Sequence, residues 1–194
     1  MLPTLNLWFL AAGYSVIVVF FIIQRLLRRT KIARSLKGGV YDRGNMILIG
    51  SATGIGLSVP IIADLLESGI FPIGIPLALV ALALMVLGVG LRVWAAITLG
   101  SYYTTTLTMT EGQKVVTAGP YGWVRHPGYL GEILIWTGFG VLSSNVVAMA
   151  LLPVMFVAVL LYRISSEEKM LVKELGEDYV QYQHRTRRLI PLVY

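Results

Sequence analysis

The sequence contains no cysteine among its 194 residues. That excludes disulfides, thiolate nucleophiles and Cys-ligated zinc. Its two histidines, His126 and His184, are too few for a His-rich metal centre, so no metal is expected. Charge is also scarce. Only 13% of the residues are charged, where a soluble domain carries roughly a quarter. No Gly-rich dinucleotide fingerprint follows a strand pattern, and no repeat of 20–50 residues is visible. With 56% hydrophobic residues and several apolar runs of about 20 residues, the chain is read as a polytopic membrane protein with one domain, 1–194.

Three apolar spans are expected in 1–99. The first, 5–27, is too long for a signal-peptide core and lacks a basic leader, so it reads as a retained helix. Seven of the 16 Lys and Arg residues follow closely: Arg25, Arg28, Arg29, Lys31, Arg34, Lys37 and Arg43. Such a cluster marks the cytoplasmic side. Its concentration in one segment suits an anionic membrane surface better than nucleic acid, which is not an expected partner. The second span, 44–66, holds Gly54 and Ser58 at a spacing that favours close helix packing, with Pro60 inside. The acidic loop 64–74 belongs outside. The third span, 75–99, carries Arg92, which either serves a function within the membrane or snorkels to the interface.

Residues 100–126 return to the cytoplasm. The alternating, β-branched 104–110, the turn signal Glu111-Gly112 and the weakly alternating 113–117 predict a small β-hairpin or a pair of extended segments lying over the membrane face. From 128 to 163 an apolar stretch is interrupted by Ser143-Ser144-Asn145, which predicts a helical hairpin. The expected topology has the N-terminus outside, five spans and the C-terminus inside. In the polar tail, Gly176 is a helix stop and 177–184 a second short helix.

The residues with chemistry gather at the cytoplasmic mouth of that hairpin. Pro127 pushes His126 out of the α region and suits the first turn of a helix. A helix N-terminus exposes backbone N–H groups to an anion. Arg163, Glu167 and Glu168 stand at the exit of the hairpin, with Arg163 and Glu167 four apart on one face. Glu132 lies one turn inside the helix start, a favourable place for a carboxylate.

The pattern Gly119-x-Tyr121-x-x-x-Arg125-His126-Pro127-x-Tyr129-x-Gly131 resembles the signature of the isoprenylcysteine carboxyl methyltransferases and related phospholipid methyltransferases. Arg163-x-x-x-Glu167-Glu168, Gly176-x-x-Tyr179-x-x-Tyr182 and Arg188-x-x-Pro191 follow in the order of that family. The resemblance covers 100–194. It implies S-adenosylmethionine as methyl donor, held in a cytoplasmic pocket by Gln113, Lys114, Val115, Val116, Tyr121, His126, Pro127, Gly128, Tyr129 and Glu167. Arg163 matches the position that meets the substrate. The fold it implies is all-α, with five membrane helices and a pocket built from a loop, the last hairpin and the C-terminal helical tail. The implied reaction is methyl esterification of an isoprenylcysteine-type lipid carboxylate. Methylation of a phospholipid amine, with Glu168 or Glu132 accepting the proton, is the first alternative. A non-enzymatic membrane scaffold is the second.

Overall fold

The computed structural model describes residues 4–28, 41–42 and 44–190. The basic stretch from Arg29 to Arg43, apart from Asp42 and Tyr41, lies outside the described residues, as do the Gly38-Gly39 break and Pro191. Among the described residues there are six α-helices: α1 (Thr4–Leu27), α2 (Asn45–Leu65), α3 (Ile75–Leu99), α4 (Pro127–Leu142), α5 (Val146–Leu175) and α6 (Glu177–Arg185). Short 3-10 turns at Gly100–Tyr102 and Gly119–Gly122 punctuate the link between α3 and α4.

Four of these helices, α1, α2, α3 and α5, are long and apolar enough to cross a membrane. The chain is therefore a multi-pass integral membrane protein of all-α class. α4 is different. Its 16 residues span about 24 Å, less than the roughly 30 Å of a bilayer core. It is enclosed by its neighbours, with Ile135, Trp136, Phe139 and Leu142 all buried. Around it the core assembles from Ile17 and Phe20 of α1, Ala52 of α2, Met85 of α3 and Phe156 of α5.

The tightest contact is between α3 and α4. A Cβ built on Gly131 would lie 2.5 Å from the Gly88 carbonyl, and one on Gly138 2.5 Å from the Ala81 carbonyl. Neither glycine has room for a methyl group, so the two backbones touch. Gly56 of α2 likewise makes way for the Trp136 ring, which stacks on Phe156 with centroids 4.1 Å apart.

The two ends of the bundle are distinct. At one end, the loop after α2 is sewn to the α4–α5 turn. Asn145 caps α5 through its side chain and donates to the Ser68 carbonyl, and Phe71 N–H donates to Ser144 O at 3.0 Å. Asn6 of α1 donates to Phe71 O at 3.1 Å, placing the start of α1 at this end. At the opposite end lie the α3–α4 link, the last turns of α5 and α6. There, Gly176 takes a positive φ of 59° and ends α5 as expected.

The expected β-hairpin is absent. Among the described residues no strand is present, and 103–118 forms an irregular strap. A turn does form at Glu111-Gly112, with Gln113 N–H donating to Thr110 O at 3.1 Å and Gly112 at φ 68°. The Thr104 and Thr110 hydroxyls donate within the strap, to Thr106 O and Gln113 Oε1. Thr106 and Leu107 are buried against the helices.

With no native cysteine, single cysteines report topology without background. One at Ser68 and one at Glu111 are expected to react from opposite faces of a sealed vesicle. Reaction of both from the same face would overturn this arrangement of ends.

Candidate active site

The pocket end encloses a cavity of about 380 Å³. Its walls come from α1 and α2 on one side, the end of α3, the strap above, the loop before α4 with the first turns of α4, and the last turns of α5 with α6. Gln113, Lys114, Val115, Val116, Tyr121, His126, Gly128, Tyr129, Arg163 and Glu167 all line it. Pro127 does not. It is buried at the start of α4, where its ring sets the helix direction.

Tyr129 stands at the centre. Arg163 Nε donates to its hydroxyl at 2.7 Å. The hydroxyl donates onward to Glu167 Oε2 at 2.6 Å. Arg163 and Glu167 are thus joined through a phenol, in place of a direct pair along the α5 face. Arg163 is buried, and its Nη2 donates to the Thr105 carbonyl at 2.7 Å. Its Nη1 is buried without a hydrogen-bond partner among the described residues.

Glu168 faces the other way and is fully engaged. Arg125 Nε donates to Oε1 at 2.7 Å, and Arg188 donates to Oε2 at 2.9 Å. His126 Nε2 lies 3.2 Å from Oε1, and the imidazole stacks on Tyr129. Arg125 also donates to the carbonyls of Gln183 and Thr186. The backbone N–H groups of Arg125 and His126 donate to Arg187 O and Arg188 O at 2.7 and 3.0 Å. This knot closes the floor of the site by tying the segment after α6 to the loop before α4.

Arg92 does not snorkel. Its Nη1 pairs with Glu132 Oε2 at 2.8 Å and donates to Gly128 O at 2.9 Å. Its guanidinium lies over the Phe20 and Tyr129 rings. The glycine contact between α3 and α4 is what allows this pair to form under the cavity. Neither Glu132 nor Glu168 is a free base: each is already held by one or more cations, and both are buried. That removes the proton acceptors an amine substrate would need from these two positions.

A cluster of Leu107, Met170, Leu171, Tyr179 and Tyr182 backs the remaining wall. Tyr182 donates to the Tyr121 carbonyl at 2.7 Å. Burial pushes the Tyr182 phenol up to about 12. Tyr121 and Tyr179 are also raised, in both cases first by burial and then by the nearby Glu167 carboxylate. All three phenols therefore remain protonated donors at neutral pH.

Several lining residues escape a reading of motifs. Phe20, Phe21 and Gln24 come from α1, Met46, Ile49 and Thr53 from α2. Of these, only Gln24 carries a signal, as an amide in an apolar run. α1 and α2 meet further down, where the Tyr14 hydroxyl donates to Leu57 O at 2.7 Å. Higher up, Gly50 lines the cavity, and a Cβ built on it meets nothing within 4 Å. Among the described residues no group of His, Asp and Glu is placed to hold a metal.

The fold and the pocket define an integral membrane protein with a chamber at one end of the bundle, its largely apolar wall set with charged side chains. The profile of the Isoprenylcysteine carboxyl methyltransferase (ICMT) family matches residues 80–173. That stretch of the chain is similar to this family. It is 31% identical over 115 residues to a protein-S-isoprenylcysteine O-methyltransferase of Schizosaccharomyces pombe, covering 58% of this chain and 49% of the relative. It is 35% identical over 80 residues to the uncharacterized protein YpbQ of Bacillus subtilis, covering 41% and 48%. The chain spans about half the length of these relatives. Its fold is similar to that of the eukaryotic intramembrane Ras methyltransferase ICMT. The TM-score is 0.68 at 22% identity, covering all of this chain and 70% of the other.

The Glu168 knot predicts a stability difference. Glu168→Ala leaves the buried Arg125 guanidinium without its counter-charge and is expected to cost about 3–5 kcal/mol. Arg188→Ala removes a half-exposed partner and is expected to cost about 1 kcal/mol or less. Thermal unfolding of the purified protein in detergent checks both. Equal melting temperatures for Glu168→Ala and the wild type would remove the knot from the stability of the fold.

Proposed function

We propose that this chain is an S-adenosylmethionine-dependent methyltransferase that esterifies the carboxylate of an isoprenylcysteine-type lipid. The observation that carries this reading is Arg163 Nη1: a buried guanidinium N–H of a cavity-lining residue, with no partner among the described residues. A buried donor of that kind is costly unless something accepts from it. A carboxylate suits it, because a guanidinium stays charged and offers donors in a fixed plane.

The residues present fit the cofactor as well. Glu167 Oε2 is held by Tyr129, while Oε1 is free of hydrogen bonds among the described residues and suits the cofactor ammonium. The α4 N-terminus, with His126 and Gly128 beside it, suits its carboxylate. Tyr121, Tyr179, Tyr182 and Val115 offer apolar and aromatic surface for adenine. When bound, the cofactor supplies an electrophilic methyl group on a sulfonium. The acceptor carboxylate is ionised at neutral pH and attacks without a general base. The protein has only to align and to exclude water. Arg163 anchors one carboxylate oxygen, and the strap 103–118 covers the chamber from water.

In this reading the chain has five spans, with α4 as the short fifth. The pocket faces the cytoplasm, because Arg25 and Arg28 lie at the pocket end of α1 and the basic run up to Arg43 follows them in the sequence. The lipid portion lies against Phe20, Phe21, Met46 and Ile49, between α1 and α2. A phospholipid amine fits less well. It would have to lose a proton, and Glu132 and Glu168 are both committed to arginines.

Two variants test the two halves. Glu167→Gln removes one charge with little change of shape and is expected to weaken S-adenosylmethionine binding by about 1–3 kcal/mol. Calorimetry showing unchanged affinity would exclude Glu167 from that role. Arg163→Ala is expected to lower carboxyl methylation by about a thousandfold, with a smaller change in cofactor affinity. Arg163→Lys should recover little, since an ammonium cannot hold Tyr129, the Thr105 carbonyl and a substrate oxygen in one plane. Near-normal turnover of a prenylcysteine analogue by Arg163→Ala would remove the residue from the mechanism.

A further inference from the structure

Trp123 is 66% exposed, although it stands in the loop that leads into α4, two residues before Arg125 of the Glu168 knot. Its ring does not stand alone. It meets the ring of Trp94 edge-on, with centroids 6.1 Å apart. Gly119 makes the contact possible. It takes a φ of 55°, and a Cβ built on it would lie 3.1 Å from Thr98 Oγ1 and 3.2 Å from Trp94 Nε1. The turn Gly119–Gly122 therefore lies against the last two turns of α3, and Trp123 follows it there.

The depth of that contact follows from helix geometry. Trp94 lies about 28 Å along the axis from Ile75, the first residue of α3. A bilayer core is about 30 Å thick. Leu87, Trp94 and Ile97 share one face of α3 by helical spacing, and all three are exposed. The lipid-facing side of α3 thus runs up through Trp94, and Trp123 stands at its upper edge. An indole joins an apolar body to one N–H donor, and such rings collect where hydrocarbon gives way to headgroups.

We propose that Trp94, Ile97 and Trp123 form an interaction surface for the lipid headgroup layer, and that Trp123 seats the loop before α4 in that layer. Continuity with the lipid face of α3 is what selects lipid over a soluble partner or a second copy of the chain. The assignment does not depend on which reaction the chamber performs. It also sets a level for the chamber. Arg92 precedes Trp94 by two residues, about 3 Å deeper on the same axis. The Arg92–Glu132 pair under the cavity is then level with the edge of the hydrocarbon.

Tryptophan fluorescence in reconstituted vesicles tests the proposal. The Trp8→Phe/Trp94→Phe protein emits from Trp123 and the buried Trp136. Adding Trp123→Phe leaves Trp136 alone, so the difference between the two is the emission of Trp123. Phosphatidylcholine vesicles carry a nitroxide on the headgroup, near the top of the acyl chain or near its methyl end. Trp123 is expected to lose emission mainly to the first two labels, and little to the third or to aqueous iodide supplied on both faces. Loss mainly to iodide would place the ring in water. Loss mainly to the methyl-end label would place the loop inside the hydrocarbon. Resistance to every quencher would mean that protein covers it, a second copy included. Each of these three results overturns the proposal. If the triple variant does not fold, wild type and the single Trp123→Phe variant give the same difference.

Discussion

The backbone contact between α3 and α4 is the constraint on which the site depends. Gly88, Gly131 and Gly138 leave no side chain between the two helices. Only at that separation does Arg92 reach both the Glu132 carboxylate and the Gly128 carbonyl. The pair in turn lies under Tyr129, whose hydroxyl organises the rest of the chamber. A helix of 16 residues is too short to face lipid over a whole bilayer. α4 is held in the bundle instead, with its N-terminus opening into the cavity. Small residues therefore serve two ends here. They replace a hydrophobic driving force that lipid does not provide, and they bring ionised groups close enough to neutralise one another.

Charge inside the bundle is arranged in closed sets. Glu132 belongs to Arg92, and Glu168 to Arg125, Arg188 and His126. Glu167 is the exception. It shares one oxygen with a phenol and keeps the other for the cavity. Adjacent in sequence and alike in chemistry, Glu167 and Glu168 have opposite fates because a helix turns about 100° per residue. One carboxylate holds the fold together and its neighbour faces whatever enters.

Much of this was legible in the sequence. The ranges of α1, α2 and α3 follow directly from apolar runs and their flanks. Asn145 and Gly176 mark helix boundaries for reasons of capping and positive φ. The Arg125–Tyr129 run and the Arg163–Glu168 run meet because both lie at the mouth of one hairpin. What was not legible depends on contacts between distant elements. Arg92 and Glu132 are 40 positions apart, and nothing in either apolar run announces the other. The β-branched 104–110 has the alternation of a strand, yet Leu107 packs against α5 and α6 while the Thr104 and Thr110 hydroxyls bond within the strap. Arg163 NH groups go to Thr105 and Tyr129 rather than to Glu167, since the phenol fits between them. Gln24 reads as a tolerated polar residue until the Tyr103 hydroxyl meets it.

The Tyr129 hydroxyl accepts from Arg163 and donates to Glu167. One oxygen thus belongs to both halves of the chamber. A molecule that draws on the Glu167 carboxylate weakens its claim on the phenol proton, and the phenol then accepts less strongly from Arg163. The guanidinium is correspondingly freer to turn toward an acceptor. Linkage makes that influence reciprocal: whatever free energy one occupant lends the other at this oxygen is returned in equal measure. In the proposed reaction the two ligands of the chamber would communicate through a single proton, and the tightness of either would be a property of the pair.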